Sequence, residues 1–292
     1  MGSGLTTRLL RARRGRKLIL AFHNVVPDQE RPWGEAALHL PLRTFRAYLE
    51  ILMELCNLVP LQLLLSEPSS PEGPPQVAIT FDDAYSGSVD ATWGVLIPNA
   101  IPATIFAPPG LLGQGGFWWD RLAAALGGSL PTAVRNHCLN ELGGDHEAVL
   151  SWAKDEGMTL EEAPDHVCPT VENELLRLCE SGSVSIESHA WSHRNLAALC
   201  DEDLHNELGR ARRWVQERSL GPADVVAYPY GLASTAVYRS ARKVGHRHGL
   251  LVHGGWLSVG QGQRDQFAVP RLNVPAGLTP AGLRMRLAGL KL

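Results

Sequence analysis

The chain is poor in cysteine. Its 292 residues hold five, Cys56, Cys138, Cys168, Cys179 and Cys200, an odd number, widely spaced and without a Cys-x-x-Cys pair. That excludes a disulfide framework and a zinc ribbon, and reduced, packed thiols fit a cytoplasmic protein. It also lacks an excess of charge of one sign. A net charge of −3 offers no global reason to bind nucleic acid or an anionic membrane. No stretch reaches the roughly 18 apolar residues of a membrane span. The first residues are basic (Arg8, Arg11, Arg13, Arg14, Arg16, Lys17), but the apolar run after them, Leu18 to Phe22, is too short for a secretory core of roughly 7–15 residues and is followed by no small-residue cleavage site. Residues 1–17 therefore read as a solvated basic arm, and a cytoplasmic location is expected.

What is present is ordinary in bulk and unusual in detail. An apolar content of 45% with 20% charged residues suits one large α/β domain over 18–292, and eleven histidines are many. The chain is organised around Val77-Ala78-Ile79-Thr80-Phe81-Asp82-Asp83. Pro74-Pro75 precedes this run and Ser86-Gly87-Ser88 follows it, so it reads as a buried strand. Two carboxylates at a strand's C-terminal end stand where α/β folds place chemistry. Consecutive strand side chains point to opposite faces, so Asp82 and Asp83 can take different roles.

The same texture recurs along the chain. Short apolar runs at Leu18–His23, Ala103–Ala107, Val184–Ser188, Asp224–Gly231, Gly249–Val252 and Phe267–Val274 read as strands. Amphipathic stretches lie between them. The first, from Pro41, carries Phe45, Leu49, Leu52 and Met53 on one face, and a second helix is expected over Asp90–Ile97. Another runs from Asp201, a candidate N-cap, to Arg218. Ser234 and Thr279-Pro280 open two further helices. Residues from about 117 to 170, opening on Phe117-Trp118-Trp119-Asp120, read as a helical insertion. The alternation predicts parallel strands joined by crossover helices.

His189 and His193 directly follow the strand at 184–188. On a helical turn, positions i and i+4 share a face, so both imidazoles can reach one ion. Two histidines and a carboxylate with one open position form a catalytic zinc shell.

Thr80-Phe81-Asp82-Asp83, His189-x-x-x-His193 and Tyr228-Pro229-Tyr230-Gly231 together resemble the first motifs of the polysaccharide deacetylases, the NodB-homology proteins of carbohydrate esterase family 4. The resemblance covers roughly residues 18 to 275. It implies a distorted (β/α)7 TIM-like barrel and hydrolysis of an acetamide on a sugar, dependent on a divalent metal. Zinc is the expected ion, with cobalt, nickel and manganese as alternatives. Carried over, Asp83, His189 and His193 would bind the metal and Asp82 would be the general base. The backbone N–H of Tyr230 would hold the oxyanion.

Two departures bear on the assignment. The arginine that opens the third motif in many members is replaced by Ala227, and Arg271 is the candidate substitute, able to pair bidentately with Asp82. No late Asp-x-x-Asp-Trp stretch is found. Ala21-Phe22-His23 is similar to the permuted poly-N-acetylglucosamine deacetylases, which makes His23 the expected general acid ahead of His253. Trp118 and Trp119 suit a sugar face and a pin from the insertion to the barrel equally, Trp191 is expected to shape the pocket wall, and Tyr228 is a further candidate for substrate binding. The expected partner is an N-acetylated sugar, lipid- or nucleotide-linked, in glycan biosynthesis. Two rival readings are a hydrolase of non-sugar amides and a glycan-binding protein without chemistry.

Overall fold

Seven parallel strands frame the computed structural model, which describes residues 14–67, 73–257 and 265–289. They are β1 (Lys17–Phe22), β2 (Gln76–Phe81), β3 (Ala103–Ala107), β4 (Val184–Ser188), β5 (Val225–Ala227), β6 (His248–Leu250) and β7 (Leu272–Asn273). Their spatial order is β7-β1-β2-β3-β4-β5-β6, so the last strand pairs with the first. A short strand, Asn57–Leu58, adds to the start of β2. β1 and β2 run in register from Lys17 opposite Gln76 to Phe22 opposite Phe81. Val269 bridges to Leu250 of β6, and Leu272 pairs with Leu20 of β1. The stretch 269–273 therefore spans from one edge of the curled sheet to the other. Parallel strands covered on both faces become continuous apolar runs, as in Leu18-Ile19-Leu20-Ala21-Phe22, all buried.

Helices cover the outside. Leu42–Leu55 buries Phe45, Tyr48, Leu49, Ile51 and Leu52, while Met53, expected on that face, is 51% exposed. The helix expected over Asp90–Ile97 starts earlier, at Ser86, and widens at Thr92–Leu96. The insertion folds as three helices, Trp118–Ala125, Thr132–Asn140 and His146–Asp155, around a small core of its own that takes in Tyr85. The N-cap of Asp201–Glu217 is Cys200 rather than Asp201, which instead supplies negative charge to the first turn. Ser234 and Thr279 do cap their helices, accepting from the backbone N–H of Val237 and Gly282. The strand expected over 267–274 is regular only at 272–273, because Val269 and Leu272 pair with different strands.

Residues 1–13 of the expected basic arm lie outside the described residues. Lys17 is not part of an arm: it begins β1, is buried, and its Nζ donates to the Leu64 carbonyl at 2.6 Å. Among the described residues no helix is long and apolar enough to cross a membrane.

One buried acid sits in the sheet itself. Glu187 of β4 accepts from Gln62 Nε2 and from the Val225 backbone N–H, each at 3.1 Å, and burial pushes its carboxyl up to about 8. A carboxyl raised above its unfolded value favours the fold when protonated. That stability is complete below the unfolded value near 4.5 and is lost as pH rises through about 8. Glu187→Gln should therefore outgain the wild type in urea as pH climbs from 5 to 8.5, by roughly 5 kcal/mol at most. A stability gap that does not change with pH would contradict this.

Candidate active site

The C-terminal strand ends converge on one pocket of about 150 Å³. β1 delivers His23, β2 delivers Asp82 and Asp83, β4 delivers His189 and then His193, and the turn after β5 delivers Tyr230. Asp82 and Asp83 lie just beyond the end of β2, and their side chains diverge because Asp83 adopts left-handed backbone (φ 70°), not through strand alternation. Asp83 turns to the histidines: its Oδ1 lies 3.3 Å from His189 Nε2 and 3.0 Å from His193 Nε2. Asp82 turns to Arg271, which grips both its oxygens at 2.7 and 2.6 Å.

The first cluster has the chemistry of a metal site. One donor atom each from Asp83, His189 and His193 lies within 4.8 Å of the others, and all three residues are buried. His189 Nδ1 donates to the Ala227 carbonyl at 2.8 Å, which leaves Nε2 as the bare nitrogen facing the cluster. The two Nε2 atoms face each other at 3.2 Å. The bare His189 nitrogen, the His193 ring nitrogen and a carboxylate directed at one point form a donor set that a divalent ion fits. Burial alone would raise the Asp83 carboxyl, but the neighbouring imidazoles of His189, His193 and His23 hold it far below the usual range.

The second cluster keeps a carboxylate charged in the interior. Burial would push the Asp82 carboxyl up, yet the Arg271 guanidinium, with His189 and His23 nearby, holds it below its ordinary value. Arg271 is itself fully buried and also donates to Thr80 Oγ1 at 3.2 Å and to the Leu251 carbonyl at 2.9 Å. A planar fork fixed on three sides leaves the carboxylate one orientation.

Backbone strain is concentrated here. Asp83, Ala84, Ala190, His193 and Tyr230 all have φ between 57° and 70°, in the left-handed region that non-glycine residues avoid. The histidine pair is therefore not on a helical turn. Residues 189–193 form a loop whose left-handed Ala190 and His193 fold the second imidazole back to the first. At Tyr230 the same conformation, φ 59° and ψ 4°, turns the chain sharply after Pro229. Among the described residues no acceptor meets the Tyr230 backbone N–H.

A sequence profile for polysaccharide deacetylases matches residues 69–249, well over half of the chain. The chain belongs to the polysaccharide deacetylase family. Solved structures share its fold at low identity. IcaB from Ammonifex degensii superposes with a TM-score of 0.64 at 14% identity, covering 94% of this chain and 97% of that one. The Streptococcus pyogenes deacetylase PplD, solved with acetate, gives 0.61 at 13% identity over 92% and 96%. YxkH of Bacillus subtilis (strain 168), a protein named for the same family, is 22% identical over 120 residues, 41% of this chain and 42% of its own length. The match thus spans less than half of that relative.

In this family member, the pocket gathers His23, Asp82, Asp83, Trp119, His189, His193 and Tyr230, and Arg271 stands directly behind Asp82. The other expected aromatics do not line it. Trp118 and Tyr228 are each 1% exposed, with Trp118 Nε1 donating to Tyr230 Oη and Tyr228 Oη donating to the Phe267 carbonyl. Buried rings with satisfied polar tips have no face to offer a sugar. Trp191 lies outside the pocket lining, with the Arg210 guanidinium 4.0 Å from its ring centre. His253 is exposed and does not line the pocket, although Val252 does. Gly231, next to Tyr230, also lines the pocket, and the lining is completed by Glu35, Leu38, Arg135 and Asn273. Sequence reasoning missed them because each is carried by a loop, by the insertion or by the last strand, away from any motif.

Proposed function

We propose that this protein is a metal-dependent carbohydrate N-deacetylase that hydrolyses the acetamide of an N-acetylated sugar to a free amine and acetate. The observation that carries the proposal is the division between adjacent aspartates. Asp83 joins two histidines in a ligand cluster, while Asp82 is held apart as a charged carboxylate by Arg271, and both face one pocket.

Asp83, His189 and His193 would hold the divalent ion, zinc foremost. When bound, such an ion supplies Lewis acidity, polarising a carbonyl and making water nucleophilic near neutral pH. The protein's own groups do the rest. Asp82 accepts a proton from the attacking water, and Arg271 aims it and keeps it ionised until then. As the carbonyl carbon becomes tetrahedral, the unpaired Tyr230 N–H donates to the developing oxyanion. His23, in the same pocket, gives a proton to the nitrogen as the C–N bond breaks. One water is consumed, and one acetate and one amine leave.

The test is metal content of the purified protein together with acetate release from N-acetylated sugars, oligomers and lipid- or nucleotide-linked sugars. Stoichiometric metal with acetate release from a sugar is expected. Release from simple amides alone would make it a hydrolase of non-sugar amides. Neither metal nor acetate, after zinc or cobalt is added, would make it a binding protein.

A further inference from the structure

The two histidines of the ligand cluster are supported in different ways. His189 is fixed by the bond from its Nδ1 to the Ala227 carbonyl. His193 has no such bond, for its Nδ1 is buried without a partner. A ligand histidine ordinarily uses its second nitrogen to set ring orientation. Here aromatic rings enclose the imidazole instead. The Trp119 ring centre lies 4.7 Å away at 42°, and the Tyr230 ring centre lies 4.6 Å away at 79°.

Trp119 is in turn the end of a directed hydrogen-bond chain. Its indole nitrogen can only donate, and it donates to Tyr85 Oη at 2.8 Å. Tyr85 passes its own hydrogen to Asp120 Oδ2 at 2.6 Å. The other oxygen, Asp120 Oδ1, accepts from His39 Nε2 at 2.8 Å and from the Glu35 backbone N–H at 2.9 Å. The donor sense at His39 follows from Asn24. The Asn24 amide group donates to the His166 carbonyl at 2.8 Å, so His39 Nδ1, 3.1 Å away, accepts from it and Nε2 carries the proton. Asp120, His39 and Tyr85 are all fully buried. The loop beneath them depends on Gly34, at φ 86°, where a Cβ would stand 2.5 Å from Asp120 Oδ1. Phe117 stacks on Trp119, 4.4 Å between ring centres at 9°.

We propose that Trp119 is a positioning residue for the metal ligand His193, locked through Tyr85 onto the Asp120–His39 pair. The inference rests on the metal-site reading above. It assigns the insertion a task in the active site: Phe117, Trp119 and Asp120 stand at its start and brace a ligand carried by the loop after β4. It also separates Trp119 from a sugar platform. A platform acts on substrate affinity alone, whereas a brace acts on the metal in the absence of any sugar.

The test is direct titration of the full-length protein with Co²⁺, read by its visible absorption, and competition for Zn²⁺ against a chelating dye. Trp119→Leu removes the brace. Tyr85→Phe keeps nearly the same volume and removes only the link to Asp120, so it covers the case in which the first variant does not fold. Metal affinity should fall about 10–100-fold in Trp119→Leu, the range for groups that support a ligand, and about tenfold in Tyr85→Phe. Each Co²⁺ spectrum should shift with its loss. Wild-type affinity and an unchanged spectrum in a folded variant would overturn the proposal, above all with a raised KM, which would mark a sugar platform. A wild-type protein that binds neither ion would remove the metal-site reading itself, and the brace with it.

Discussion

Asp82→Asn is expected to lose turnover by about 10³-fold while keeping its metal, the loss typical when a positioned general base is removed. Asparagine has the same size and can still accept one bond from Arg271, so the local frame survives. It cannot take a proton. Its amide hydrogens would also face the guanidinium that now holds both carboxylate oxygens. The ligand cluster is built from other side chains, and Asp83 points away from Arg271 toward His189 and His193. His189→Ala supplies the contrast, since it should lose both metal and activity. Paired metal analysis and kcat on a responsive sugar decide the matter. An Asp82→Asn enzyme within tenfold of wild type would mean that another group takes the proton.

The second large effect is on stability. Arg271→Met should cost about 3–5 kcal/mol, the range for breaking a buried ion pair by removing one partner. Methionine fills much of the arginine's volume, so the cost is electrostatic. Asp82 would be left in the interior without the cation that holds its carboxyl down. The double variant Asp82→Leu with Arg271→Met should regain most of that loss while remaining inactive, because two apolar groups need no compensation. Urea unfolding of the wild type, both single variants and the double variant closes the cycle. Losses that simply add would show that the pair is not coupled. Arg271→Lys should fall between wild type and methionine, because a point charge cannot reproduce the two-pronged grip.

How much of this was legible in the sequence follows from the range of each signal. Asp82, Asp83, His189 and His193 are recognisable because each sits at or just beyond the end of an apolar run, and strand ends are local features, whereas Tyr230 and His23 were singled out by the family resemblance. Arg271 could be named from the missing arginine at Ala227, since a charged base needs a counter-charge from somewhere. The route by which the histidines meet was not legible. The spacing suggested a helical turn, but the loop relies on left-handed Ala190 and His193, and nothing local marks a non-glycine residue for positive φ. Trp118, Trp191 and Tyr228 were misplaced for the opposite reason. Tryptophan suits a sugar face and a core equally well, and burial is decided by partners far away. Tyr85 and Asp120 are 35 positions apart, and His39 and Asp120 are 81. No periodicity connects such residues, so the brace behind His193 appears only once the insertion is folded.

The pairing of the last barrel strand with the first has a consequence for how the protein is made. Arg271 meets Asp82 across 189 positions of chain. On the ribosome, His23, Asp82 and Asp83 emerge long before the residue that makes Asp82 tolerable in the interior. Until then, burying that carboxylate would leave a naked charge inside a half-built sheet. β1 and β2 can pair early, yet the top of β2 has to stay wet. The nascent chain therefore cannot complete its active site in stages. Asp82, its counter-charge and the closing strand come together only once residue 271 has been made, so a chain that ends ahead of Arg271 lacks the partner that holds Asp82 in the interior.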